Sequence, residues 1–191
     1  MTKRVGLFFG SFNPIHVGHM MIAEMIHTSG KVDEVWFVVS PHNPHKRKEE
    51  LLPEQDRLDL VREAIEAVYH FKASDIEFNL TKPSYTIHTM TYLAEKYPDY
   101  SFQLIIGEDN LHSLPKWMNY EQLLMHGLLV YPRPNTKPST LADHPQVSWV
   151  EAPKIDISAT MIRKLVKADK SVKYLVPDGV AELIESRKYY K

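Results

Sequence analysis

The chain contains no cysteine. Disulfides, thiolate metal sites and cysteine nucleophiles are therefore excluded. The absence fits a reducing compartment, and a soluble, cytoplasmic protein is expected. A charge bias is also missing: 23 Lys and Arg against 24 Asp and Glu give a net charge of −1 with histidine neutral. Nucleic-acid binding normally leaves a basic footprint, so no such partner is expected. No apolar run approaches the roughly 20 residues that cross a bilayer, so no membrane partner is expected either. The opening MTKRVGLFFGSFNP carries too short an apolar stretch for a secretory signal and runs straight into a polar turn. Internal repeats and low-complexity tracts are absent as well.

What is present is ordinary globular material, 43% hydrophobic and 25% charged over 191 residues. That length suits a single domain over residues 1–191. Ten histidines make the charge sensitive to pH below about 6.5. Apolar runs at 5–9 (VGLFF), 34–39 (EVWFVV), 102–106 (FQLII) and 128–131 (LLVY) read as buried strands, with shorter candidates at 75–78 and 147–150. Between them lie helical patterns. One covers 17–27, one carries Leu58, Val61, Ile65 and Val68 after Pro53, and one carries Ile87, Met90 and Leu93 with Ser84 as its cap. Two more follow Ser158 and Pro177. Strands alternating with helices imply a doubly wound, mostly parallel α/β sheet with helices on both faces and a small helical portion at the C-terminal end. Such sheets bind ligands beyond the carboxyl ends of their strands. The polar segments GSFNPIH, SPHNPHK and GEDNLHSLPKW each follow a strand. Residues 41–52 and 133–145 read as mobile surface loops that could cover a site.

The stretch GSFNPIHVGH, residues 10–19, sets two histidines around a glycine directly after the first strand. Three readings stay open on spacing alone. His16 and His19 could be polar residues at a helix start. They could hold zinc if His42 and His45 supplied further ligands. They could bind phosphate. Local chemistry favours the third: a helix opening after a glycine turn presents amide groups and positive potential, and imidazoles can hydrogen-bond phosphate oxygens. Near the other end, ISATMIR (157–163) offers Ser158 as a helix cap and Arg163 as a bidentate phosphate donor.

These two stretches resemble the G-x-F-x-P-x-H-x-G-H and I-S-x-T-x-x-R signatures of the nucleotidyltransferase α/β-phosphodiesterase superfamily. With SPHNPHK, PSYTIHT, IGEDNLHSLPKW and YPRP, the chain resembles the bacterial nicotinate-nucleotide adenylyltransferase family over residues 5–190. The resemblance implies a Rossmann-like fold and direct transfer of the adenylyl group of ATP to nicotinate mononucleotide. Deamido-NAD and pyrophosphate would be the products, and Mg²⁺ would arrive on the ATP phosphates rather than on protein ligands. It implies that His16, His19 and Arg163 are catalytic. Gly10, Ser11, Phe12, Gly107, Asp109, Ser158 and Thr160 would complete the ATP site. Ser11, Phe12, His45, Lys46, Thr86, Trp117 and Arg133 would hold the mononucleotide. Arg57 is read as structural.

The sequence departs from the family pattern at Ser11, where many members have a second glycine, at Asn13 for Asp and at Lys46 for Arg. Rival readings are an adenylyltransferase for the amide mononucleotide, a metal-dependent hydrolase and a non-enzymatic nucleotide sensor. Oligomeric state is left open, with a homo-oligomer compatible.

Overall fold

The computed structural model describes residues 2–41 and 51–191. Its strands are β1 (Lys3–Gly10), β2 (Glu34–Val39), β3 (Phe71–Ser74), β4 (Tyr100–Gly107), β5 (Leu128–Tyr131) and β6 (Val147–Trp149). Its helices are α1 (Val17–Thr28), α2 (Glu54–Ile65), α3 (Thr86–Lys96), α4 (Glu108–Ser113), α5 (Tyr120–Met125), α6 (Ala159–Lys167) and α7 (Asp178–Ser186). The strands form one six-stranded sheet in the order β3-β2-β1-β4-β5-β6. Every pairing is parallel. This is a Rossmann-like α/β fold.

The period of two along each strand divides the core between the two faces. Phe8, Val35, Phe37, Val39, Ile105 and Leu129 point to the face covered by α1, α2, α6 and α7. Val5, Leu7, Trp36, Val38, Leu104, Ile106 and Val130 point to the face covered by α3, α4 and α5. Continuous apolar runs in the sequence are thus runs buried on both sides.

One expected strand is misplaced. Residues 75–78 are not a strand; Ile76–Asn79 is a 3-10 turn, and the edge strand lies just before it at Phe71–Ser74. The alternation of Asp75, Ile76, Glu77 and Phe78 mimics a strand, whereas FKAS offers a single large apolar residue. Pairing with Val35–Val38 decides the matter. The 133–145 loop is tied at several points. Ser139 Oγ donates to Leu111 O at 3.0 Å, and Leu141 packs on the α3 side of the core.

The central strands β1 and β4 are neighbours, yet their chains leave in opposite directions, β1 toward β2 and β4 toward β5. The crevice this opens at their carboxyl ends is the expected ligand position. Its shape is held by Arg57 of α2, which is 1% exposed. Its guanidinium donates to four backbone carbonyls: Ser11 at 2.6 Å, Ser40 at 2.7 Å, Pro41 at 2.9 Å and Leu52 at 3.0 Å. Burial pulls its pKa down from the usual arginine value, but a guanidinium stays charged at neutral pH.

Replacing Arg57 by Met keeps much of the volume and strands these carbonyls. We expect Arg57→Met to lose about 3 kcal/mol of folding stability or more, read by urea denaturation. A loss below about 1 kcal/mol would show that the guanidinium is dispensable.

Candidate active site

The turn after β1 is over-determined. Arg57 binds the Ser11 carbonyl, and Arg163 Nη1 of α6 donates to the Asn13 carbonyl at 3.0 Å. The Asn13 side chain accepts from Leu52 N at 3.2 Å and from the Tyr190 hydroxyl at 3.0 Å. Asn13 is therefore a tether to the C-terminus, and its amide suits that role. Phe12 sits at φ 43°, in the left-handed region, and is 2% exposed. Its ring folds back over Gly10, where a Cβ would stand 2.8 Å from the ring. Glycine at position 10 is what lets Phe12 plug the core beneath the turn.

α1 begins directly beyond. Its N-cap is His16, which is 6% exposed. The His16 amide donates to His19 Nδ1 at 3.2 Å. An accepting Nδ1 assigns the proton of a neutral His19 ring to Nε2. The two imidazoles stack with centroids 3.7 Å apart, too close for both to carry charge comfortably. Burial, helped by the Arg133 charge, pushes His16 down to about 4. Its Nδ1 is buried without a partner among the described residues. The helix start is less open than the sequence suggests, because the Val17 amide donates to the Leu175 carbonyl at 3.0 Å.

Two cavities meet at Gly10 and Ser11. The first, of about 620 Å³, is lined by His16, His19, Asp109, Ser158, Thr160 and Arg163 among others. The second, of about 600 Å³, lies across β1 and is lined by Ser40, Glu77, Thr86, Asn110, Lys116 and Trp117 among others. Gly10, Ser11, Phe9 and Asn110 border both. Of the residues assigned to ATP, all but Gly107 line the first cavity; of those assigned to the mononucleotide, Ser11, Thr86 and Trp117 line the second, whereas Phe12 and Arg133 line only the first. Arg133 lines the first cavity, with its Nε 3.7 Å from Asp109 Oδ1, and is absent from the second. It follows β5, whose end lies on the β4 side of the crevice. His42, His45 and Lys46 lie outside the described residues.

Gly107 ends β4. A Cβ there would collide with Asp109 Oδ1 and come within 3.0 Å of Arg133 Cγ. Ser158 caps α6, its Oγ accepting from Met161 N at 3.2 Å. Arg163 also reaches Thr160 Oγ1 at 3.4 Å.

Thr86 is the first residue of α3, and here one expectation fails. Ser84 does not cap the helix. The cap position is Tyr85, with no side-chain bond, and Ser84 Oγ donates to Glu77 Oε2 at 3.3 Å. Glu77 also accepts from Thr89 Oγ1 at 2.8 Å. Burial pushes the Glu77 carboxyl up, and the hydroxyls of Thr89, Ser40 and Ser84 hold it back. The start of α3 is left facing the second cavity. Sequence reasoning missed Asn110, Glu77 and Lys116. Asn110 stands in the quoted GEDN segment, so its neighbour Asp109 was a signal. Nothing local marks Glu77. Among the described residues no group of three or more His, Asp or Glu could hold a metal ion.

A model of the cytidylyltransferase-like family matches residues 7–165. The chain belongs to that family, and its curated relatives make it a nucleotidyltransferase. Its relatives narrow the class. The chain is 56% identical over 188 residues, 98% of each chain, to a protein of Cytophaga hutchinsonii named probable nicotinate-nucleotide adenylyltransferase. It is 46% identical over 191 residues, 98% of this chain and 99% of the other, to one of the same name from Flavobacterium johnsoniae. The chain belongs with the nicotinate-nucleotide adenylyltransferases. A solved structure of Plasmodium falciparum nicotinic acid mononucleotide adenylyltransferase complexed with NaAD shares the fold. Its TM-score is 0.82 at 20% identity, covering 98% of this chain and 97% of that one.

The neutral His16 has a measurable consequence. The unfolded chain takes up a proton at this residue near the ordinary imidazole value of about 6.5, whereas the folded chain resists until about 4. Folding stability should fall as pH drops through that window, by roughly 3 kcal/mol at most from this residue. His16→Gln should flatten the profile of unfolding free energy against pH. Equal slopes in the two proteins would show that His16 protonates normally in the fold.

Proposed function

We propose that the protein transfers the adenylyl group of ATP to nicotinate mononucleotide, giving deamido-NAD and pyrophosphate. The observation that carries this reading is the pair of cavities meeting at Gly10 and Ser11, with the histidines on one side only. ATP takes the first cavity and the mononucleotide the second. Their phosphates then meet over the end of β1.

The 5′-phosphate of the mononucleotide attacks the α-phosphorus of ATP in line. A phosphate oxygen forms the new P–O bond, and the bond to the β-phosphate oxygen breaks. Pyrophosphate leaves with the electron pair. The attacking phosphate is already an anion, so no general base is required. The protein's contribution is positioning and stabilisation of developing charge. His19 Nε2–H and the His16 ring meet the α- and β-phosphate oxygens, and Arg163 and Thr160 meet the outer phosphates. Asp109 takes the ribose. Mg²⁺, carried on the triphosphate, would supply charge neutralisation when bound.

Acid is distinguished from amide at the second cavity. The uncapped start of α3 at Thr86 favours a ring carboxylate through its amides and dipole, and Trp117 stacks on the ring. His45 and Lys46 meet the mononucleotide phosphate in this reading. In this reading the reaction takes place in the cytoplasm, in keeping with a chain that has no cysteine.

Pyrophosphate release from Mg-ATP should favour nicotinate over nicotinamide mononucleotide by at least about tenfold in kcat/KM. Equal use would keep the chemistry and move the protein to the amide substrate. His19→Ala should lower kcat by about 10²-fold or more while far-UV circular dichroism and the melting midpoint stay near those of the parent. A variant keeping a third of the activity would remove His19 from the mechanism.

A further inference from the structure

Tyr131 ends β5 and pairs in register with Gly107 at the end of β4. The alternation along β5 sends it, with Leu129, to the α1 face of the sheet. There it lines the cavity that holds His16 and His19. Its ring meets Phe8 edge-on, with centroids 6.0 Å apart, and the residue is 9% exposed. A tyrosine this deep normally gives its hydroxyl a partner. Among the described residues this hydroxyl has none: burial, opposed by the Arg133 charge and aided by that of Asp109, accounts for its acidity, and no hydrogen bond contributes. Those causes push it up to about 12, so it remains a neutral donor at any working pH.

Its surroundings say what it would meet. A Cβ on Gly107 would lie 3.3 Å from Tyr131 Cζ and would strike Asp109 Oδ1. The phenol and the carboxylate therefore flank one gap that only glycine keeps open. Asp109 can only accept, whereas a phenol both donates and accepts. Each hydroxyl of a ribose diol also does both, so an acceptor beside a donor-acceptor is the complement of two vicinal hydroxyls. We propose that the Tyr131 hydroxyl hydrogen-bonds the ribose of ATP beside Asp109, and so sets a preference for ribonucleoside over deoxyribonucleoside triphosphates. The proposal rests on the placement of ATP in the first cavity.

The test is pyrophosphate release by the parent protein and Tyr131→Phe with ATP, 2′-deoxy-ATP and 3′-deoxy-ATP, nicotinate mononucleotide being saturating. Tyr131→Phe should raise KM for ATP about tenfold with kcat within about twofold. The parent should lose a similar factor on one deoxy analogue, and on that analogue the variant should show no further loss. Which analogue it is names the hydroxyl. An equal loss on all three triphosphates would overturn the proposal and put the phenol on a phosphate, the base or the packing alone. An unchanged KM for ATP would overturn it as well. Should the Phe variant fold poorly, Tyr131→Met, which also lacks the hydroxyl, carries the same comparison. Failure of the parent to release pyrophosphate from ATP at all would overturn the adenylyl-transfer reading itself, a result distinct from the others.

Discussion

A single buried guanidinium sets the form of the site. Arg57 brings a full charge into the core, and the desolvation of that charge is offset only because four carbonyls converge on it. Those carbonyls belong to the turn after β1, the exit of β2 and the entry to α2. Three chain segments are thereby held in one arrangement just beyond the end of the β1–β2 pairing. The Ser11 carbonyl turned toward Arg57 leaves Phe12 to cross into the left-handed region and fill the core. Asn13 is then placed to receive Arg163 and Tyr190 from the C-terminal part of the chain. The start of α1, with its two histidines, follows from this geometry.

The sheet divides the chemistry as it divides the core. The α1 face carries imidazoles and guanidinium groups and suits a polyphosphate. The α3 face carries Trp117, hydroxyls and an uncapped helix, and suits a flat, weakly anionic ring. The strand between them ends in Gly10, and the two sides meet over that end, with Asn110 bordering both. A reaction joining two phosphates from opposite sides needs that layout, because in-line displacement requires the attacking and leaving oxygens on opposite sides of phosphorus.

Electrostatics at this site work by restraint. Burial holds His16 neutral, and its stacking on His19 fixes both rings before any phosphate arrives. Arg163 is braced against Asn13 and Thr160. Groups already oriented reorganise little when charge develops, which is where a preorganised site gains over water.

The sequence by itself determined much of this. Short buried runs such as EVWFVV and FQLII, rich in β-branched and aromatic residues and alternating with helical patterns, read as strands covered on both faces, so the doubly wound sheet was legible. So were His16, His19, Ser158 and Arg163, because their spacing around a strand exit and a helix start carries meaning locally. Contacts between distant segments were not legible. The strand at 71–74 was hidden because only its partner β2 marks it. Ser84 reads as a cap until Glu77 takes its hydroxyl. Arg133 shifted to the first cavity because the order of strands, and not its local context, decides which side of the crevice it enters. Arg57 reads as structural, but the identity of the four carbonyls it gathers depends on the tertiary fold. Periodicity and turn chemistry act within a few residues and are written in the sequence. The pairing of a buried polar group is settled by whichever segment the fold brings within hydrogen-bond distance, and only the tertiary structure decides that.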